Sequence, residues 1–170
     1  ISPYPTLYMN IFVLDDDPKL CAMSHCDKHV VKMILETAQM ICTTHHLIGG
    51  YEYEIPYKST HVNHPCNRWL RDSVENYEWL VQLITHLNDE YRYRYDKDVN
   101  HKSYDAVKDL PIPDLPNIPR TRFARAMPDE IKIGHDVVKS YRNYYNISKK
   151  DIISYKKRDP PKWLKVNVSG

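Results

Sequence analysis

The apolar positions of this chain repeat with a helical period over two long stretches. Met23, Val30, Ile34 and Ile41 fall on one face of a 3.6-residue helix. They predict a first helix over 18–46, opened by Asp15-Asp16-Asp17-Pro18 and ended by Gly49-Gly50. After a polar connector, Pro65 stands where a helix takes proline in its first turn. Cys66, Trp69, Ser73, Leu80, Ile84, Leu87 and Tyr91 then mark one face of a long second helix. Val74, Tyr77 and Val81 widen that face, and the alternation Tyr91-Arg92-Tyr93-Arg94-Tyr95 forms its last turns. Ahead of both helices, Asn10-Ile11-Phe12-Val13-Leu14 reads as a strand or a buried extended segment.

The remaining pattern is shorter. Helical segments are expected over 105–110 and 136–145, with a turn of helix over 123–127. Four prolines make 111–119 an extended connector. The expectation is a mainly α fold, a single-domain helical bundle over 9–165. It has a short N-terminal extended segment, and its basic, aromatic C-terminal segment wraps back on the bundle. Residues 1–8 read as an irregular leader with Met9 as a native start, and 166–170 as a tail.

Composition narrows the functional classes. Only four glycines are present, and no Gly-rich phosphate loop occurs. No run of apolar residues is long enough to span a membrane, so no membrane partner is expected. Cys21, Cys26, Cys42 and Cys66 lack zinc-finger or C-x-x-C spacing and read as free buried thiols in a reducing compartment. That points to a cytoplasmic protein, or one of the host cytoplasm if the chain is viral. The formal net charge of +2 hides an asymmetry. Between residues 120 and 165 stand thirteen Lys or Arg and five Asp or Glu, a net +8, against −6 for the remainder. A basic third on an acidic body is the pattern of a polyanion-binding surface.

Candidate chemistry concentrates on the first helix. His25, His29, Lys32 and Glu36 are spaced i, i+4, i+7 and i+11, which places them within about 60° of one another on a single face. Two imidazoles, an amine and a carboxylate are the groups of general acid–base and Schiff-base chemistry. The alternative is a solvated face with ordinary i, i+4 pairs. His61 and His64, just before the second helix, offer anion binding or a cap at its N-terminus. Their spacing matches no standard zinc signature, so no metal and no cofactor is expected. Arg92 and Arg94 interleaved with tyrosines, and Lys102, are candidate nucleic-acid contacts. So are Tyr141, Arg142, Tyr144 and Tyr145, followed by Lys156, Lys157 and Arg158: cations for the backbone, aromatics for an unstacked base.

These residues resemble a known family. Met9-Asn10-Ile11-Phe12-Val13-Leu14 leads into a helix carrying His29 and, seven residues on, Glu36; a Tyr-Arg-Asn-Tyr-Tyr segment follows near the end. Together they look like a distant, enlarged relative of the pyrimidine-dimer DNA glycosylases. The stretch from Met9 to about Trp163 also resembles uncharacterised proteins of large phages and giant viruses that begin Met-Asn-Ile-Phe-Val-Leu. The glycosylase resemblance implies a compact helical domain that extrudes nucleotides from damaged DNA. An N-terminal amine attacks the sugar C1′, and a first-helix glutamate supports attack and strand cleavage. It assigns that glutamate to Glu36 and the preceding histidine to His29. Here eight residues precede Met9, so the amine is either a processed Asn10 or Lys32.

The leading expectation is therefore a DNA glycosylase or glycosylase/lyase for a damaged or modified base. His25, His29 and His61 or His64 would position or protonate groups around Glu36. One alternative is an enzyme acting on a nucleotide or sugar-phosphate ligand. Another is a non-enzymatic viral protein that grips nucleic acid.

Overall fold

A computed structural model describes residues 9–48, 52–166 and 168. The predicted leader, the Gly49-Gly50 helix stop and most of the tail lie outside them. The fold is mainly α, with no strand among the described residues. Residues 9–14 enter as a buried extended segment: Met9, Val13 and Leu14 are almost fully enclosed. Helix α1 then spans Pro18–Ser24, and Asp17 caps it by accepting from the Lys19 and Leu20 amides. Helix α2 spans Asp27–Ile48. The single first helix expected over 18–46 is thus broken at His25-Cys26.

The break has a tertiary cause. His25 is extended, at φ −66° and ψ 136°, and its N–H donates to the Ala22 carbonyl. The Arg94 guanidinium then donates to the His25 and Met23 carbonyls at 2.7 and 2.9 Å. Those carbonyls would otherwise be orphaned at the end of α1. The amides at the start of α2, which have no partner within the helix, are met from the far end of the chain. The Cys26 N–H donates to the Tyr145 hydroxyl, and the Asp27 N–H to the Ser154 carbonyl.

The second expected helix is also two. Helix α3 spans Pro65–Asp72 and helix α4 spans Val74–Arg94. Between them Ser73 is extended, and its hydroxyl accepts from the Glu75 amide while donating to the Ile118 carbonyl at 2.6 Å. The proline connector supplies that carbonyl and takes the Val74 amide on Pro116. Helix α5 spans Lys102–Val107, and helix α6 spans Val137–Ser148 with Asp136 as N-cap. The segment 123–127 is irregular, not helical, and buries Phe123 between Trp69 and Trp79.

Helix α4 packs against α1 and α2, and α2 in turn meets α3 and α5. Leu70, Leu80, Leu83, Ile34 and Met40 fill the space between them. The C-terminal third closes the other side: Tyr141, Tyr144 and Tyr145 of α6 are buried against the 9–14 segment and the start of α2. No helix among the described residues is long and apolar enough to cross a membrane.

Candidate active site

Glu36 lies in the middle of α2, yet its side chain is only 6% exposed. Helix α2 is enclosed on most sides, so His29 and Glu36 of the polar stripe are interior, while Lys32 reaches the surface. The Asn10 main-chain N–H lies against the Glu36 carboxylate and favours its ionised form. Lys32 Nζ stands 3.9 Å away, one turn back on the same helix, with its side chain about half exposed. Burial outweighs Lys32, the Asn10 N–H and the more distant Lys149 charge, and pushes the Glu36 carboxyl up to about 7. A carboxyl in that range gives and takes protons at neutral pH.

Asn10 is held rigidly for this contact. Its side-chain amide donates to the Ala126 carbonyl, and its Oδ1 accepts from the Tyr141 hydroxyl at 2.8 Å and from the Ile11 amide. The Cys66 thiol also lies 3.7 Å from that oxygen, so α3 and α6 both meet the extended segment beside Glu36. Burial pushes the Cys66 thiol up to about 12, with Glu36 adding to the shift. It is a neutral wall and not a nucleophile.

Two turns before Glu36 on α2, His29 is buried and stacks on Phe12, with ring centroids 4.3 Å apart. Its Nδ1 pairs with the Tyr145 hydroxyl at 2.6 Å. With the phenol as donor, Nδ1 accepts and the ring proton sits on Nε2. Burial, with His25, Lys149 and Lys32 nearby, holds His29 well below the usual histidine range, so it is neutral at pH 7. Lys149, one residue past α6, completes this corner. Its ammonium lies over the Tyr144 and Phe12 rings at 4.8 and 5.6 Å. Burial, with Lys32 nearby, pulls its pKa down.

Sequence reasoning counts Lys149 with the basic tail and does not place it beside the stripe. The signal was there: Tyr141, Tyr145 and Lys149 are spaced i, i+4, i+8, so the lysine continues the buried face of α6. The histidines of the stripe stay together, His25 and His29 ring centroids being 6.5 Å apart. His25, however, is off α2 and fully buried, its Nδ1 bonded to the Cys21 carbonyl at 2.7 Å. Burial lowers its pKa to about 4.

His64 is the N-cap of α3, with Nδ1 accepting from the Cys66 amide, and is likewise lowered by burial to about 4. His61 is exposed and pairs with the Thr60 hydroxyl. Among the described residues, no group of three His, Cys, Asp or Glu converges to hold a metal ion.

The candidate nucleic-acid contacts divide sharply. Tyr141, Tyr144 and Tyr145 do not present faces to an unstacked base. Their rings are buried, and the Tyr141 and Tyr145 hydroxyls are bonded to Asn10 and to His29. Arg94 is also interior, at 2% exposure, held by Asp27 and Glu90 at 3.2 and 3.0 Å. Arg142 bonds the Leu14 carbonyl and pairs with Asp15, stitching α6 to the entry segment. Lys102, Lys156 and Lys157 are exposed, as is Arg92, which holds the 97–100 loop. Arg158 pairs with Glu90 and lies over the Tyr93 ring.

The charge asymmetry therefore has an internal side. Arg120 pairs with Asp16, Arg142 with Asp15, Lys157 with Asp96 and Arg158 with Glu90. In each pair a basic residue of the last third meets an acid of the body. Part of the basic tail thus docks the chain to itself, and only the remainder is free for another anion.

A sequence model described as pyrimidine dimer DNA glycosylase matches residues 9–103, more than half of the chain. The match contains Asn10, His29, Lys32 and Glu36, and ends before Lys149. No curated protein and no solved structure matches. Through residues 9–103 the chain belongs to the pyrimidine dimer DNA glycosylase family, whose substrate is DNA.

Proposed function

We propose that the protein is a DNA glycosylase for a damaged or modified base, with Glu36 as its catalytic carboxyl. The observation that carries the reading is the buried Glu36 side chain, set against the Asn10 main-chain nitrogen and raised to about 7. Protonated, it delivers a proton to the sugar ring oxygen as the base departs. Ionised, it takes the C2′ proton, the step by which a glycosylase also becomes a lyase. His29, neutral and held by Tyr145, keeps an Nε2–H as a hydrogen-bond donor on the helix face that carries Glu36.

The reaction needs an amine. The Asn10 nitrogen is in contact with Glu36, but in this chain it is a peptide amide and not nucleophilic. It would serve only after cleavage between Met9 and Asn10. Lys32 is a second candidate, three residues after His29 and paired with Glu36. For DNA, the exposed cations Lys102, Lys156 and Arg92 supply phosphate contacts. A cytoplasmic setting suits the four buried free thiols.

The test is Glu36→Gln assayed for base release on duplexes carrying a pyrimidine dimer. Release falls by about 10²–10⁴-fold, the usual worth of a general acid–base group. Affinity for the same duplex stays within a few-fold. Equal turnover in the two proteins would end the reading.

A further inference from the structure

We propose that the loop before α3, with the outer face of that helix, grips the DNA phosphate backbone a few base pairs from the nucleotide treated at Glu36. The inference rests on the glycosylase reading above and adds a surface to it. Four basic side chains mark the surface: Lys58, His61 and Arg68 are exposed, and Arg71 is half-buried. Among the described residues, no carboxylate lies within ion-pair distance of any of them. The basic tail differs, since Arg120, Arg142, Lys157 and Arg158 each pair with an acid of this chain. Unpaired cations gathered on one loop and helix are the footprint that a phosphate backbone calls for.

The loop is also built to keep its shape. His61 has φ 49°, a left-handed conformation that a residue with a Cβ rarely adopts. Its neighbours impose it. The Asn67 side-chain amide donates to the Thr60 and His61 carbonyls at 3.1 and 2.8 Å, and the His64 N–H donates to the same His61 carbonyl. Arg71 donates to the Val62 carbonyl at 2.9 Å. The Thr60 N–H donates to the Thr43 hydroxyl of α2 at 3.1 Å. A strained residue held by this many contacts points to a function for what it carries. Inside the protein the His61 ring meets only the Thr60 hydroxyl. With that hydroxyl as donor, the proton sits on Nε2, which is free to donate to a phosphate oxygen.

The same bonds place the surface on the Glu36 side of α2. Thr43 lies two turns beyond Glu36 on nearly the same helix face, about 10 Å away. That is roughly the rise of three base pairs. At its other end the loop leads into Cys66, whose thiol lies 3.7 Å from Asn10 Oδ1 in the segment beside Glu36. A duplex with one nucleotide at Glu36 thus runs its backbone past His61 and Arg68.

The experiment is binding of a pyrimidine-dimer duplex by the full chain, followed by fluorescence anisotropy at several salt concentrations. Base release from the same duplex is measured in parallel. Arg68→Ala and Lys58→Ala are compared with Lys157→Ala, which removes an equal charge that is paired with Asp96. Each lost phosphate contact makes the slope of log affinity against log salt shallower by about 0.9, an affinity loss of about eightfold at roughly 0.1 M salt. The expected result is that loss in Arg68→Ala and in Lys58→Ala, and none in Lys157→Ala. His61→Gly takes the left-handed backbone without strain, so urea unfolding finds it folded while its duplex affinity drops several-fold. Wild-type affinity and slope in all these surface variants, with base release intact, overturn the surface and leave the glycosylase reading standing. Equal losses in Arg68→Ala and Lys157→Ala overturn it as well, because overall charge would then set the slope. The expected losses without any base release keep the surface and end the glycosylase reading. Neither binding nor release by the wild type overturns both.

Discussion

At the scale of single residues, burial decides what each group does. Glu36 shows it most directly, because its carboxyl rises from 4.5 to about 7 on folding. A raised carboxyl means the folded state holds the proton more tightly than the unfolded one. Its contribution is therefore fully present below pH 4.5 and is lost as pH rises through 7. At 1.36 kcal/mol per pH unit the loss is about 3 kcal/mol at most. Glutamine cannot ionise. Urea unfolding at pH 8.5 should therefore find Glu36→Gln more stable than the wild type by up to about 3 kcal/mol, with the gain vanishing near pH 4. A variant less stable than the wild type at pH 8.5 would show that Lys32 and the Asn10 amide outweigh burial. Under the proposed function the variant that loses turnover gains stability, the trade expected of a catalytic group held where solvent alone would not put it.

At the scale of elements, the two helix breaks carry the architecture. Apolar periodicity placed both long stretches correctly, along with the Pro65 start, the His64 cap and a helix near 136–145. It ran through His25-Cys26 and Ser73 because neither site carries a glycine or proline. The signals there are long-range: Arg94 caps the end of α1, and the Ile118 carbonyl accepts from Ser73. Arg94 is the more consequential. Its side chain is fully buried, it donates to the Met23 and His25 carbonyls, and it neutralises Asp27 and Glu90. Arg94→Met should cost about 3–5 kcal/mol in chemical denaturation, because it strands buried carboxylates. A loss under 1 kcal/mol would mean that water or Arg158 takes over those partners.

At the scale of the whole molecule, buried histidines set the response to acid. Burial lowers His25, His45 and His64 each from 6.5 to about 4, and His29 well below its ordinary value. Lowered histidines are neutral when folded, so the stability they allow is present above pH 6.5 and is lost as pH falls toward 4. Each costs up to about 1.4 kcal/mol per pH unit in that window. Glu36 opposes them with one proton, against four. Unfolding midpoints should therefore fall steeply from pH 7 to pH 5; a flat profile would contradict the burial of these rings.

The same scale shows what was legible in advance. The stripe of His29, Lys32 and Glu36 was readable, since one helix places it. That Tyr141 and Tyr145 face inward was not, because a Tyr-rich amphipathic helix reads equally well as a stacking platform. Only the location of its partner, the 9–14 segment some 130 residues away, decides between them. The basic tail was read as a surface for a foreign polyanion, and part of it meets this chain's own acids instead.

That long-range closure bears on how the protein is made. Asn10 is fixed by Tyr141, His29 by Tyr145, and Asp27 by Ser154 and the Lys156 amide. Helix α2 leaves the ribosome early, but the groups that complete its reactive corner are translated last. A nascent chain released before residue 137 would carry Glu36 without the α6 side of its surroundings. Synthesis order thus has a consequence: the corner around Glu36 and His29 is complete only when nearly all of the chain has been made.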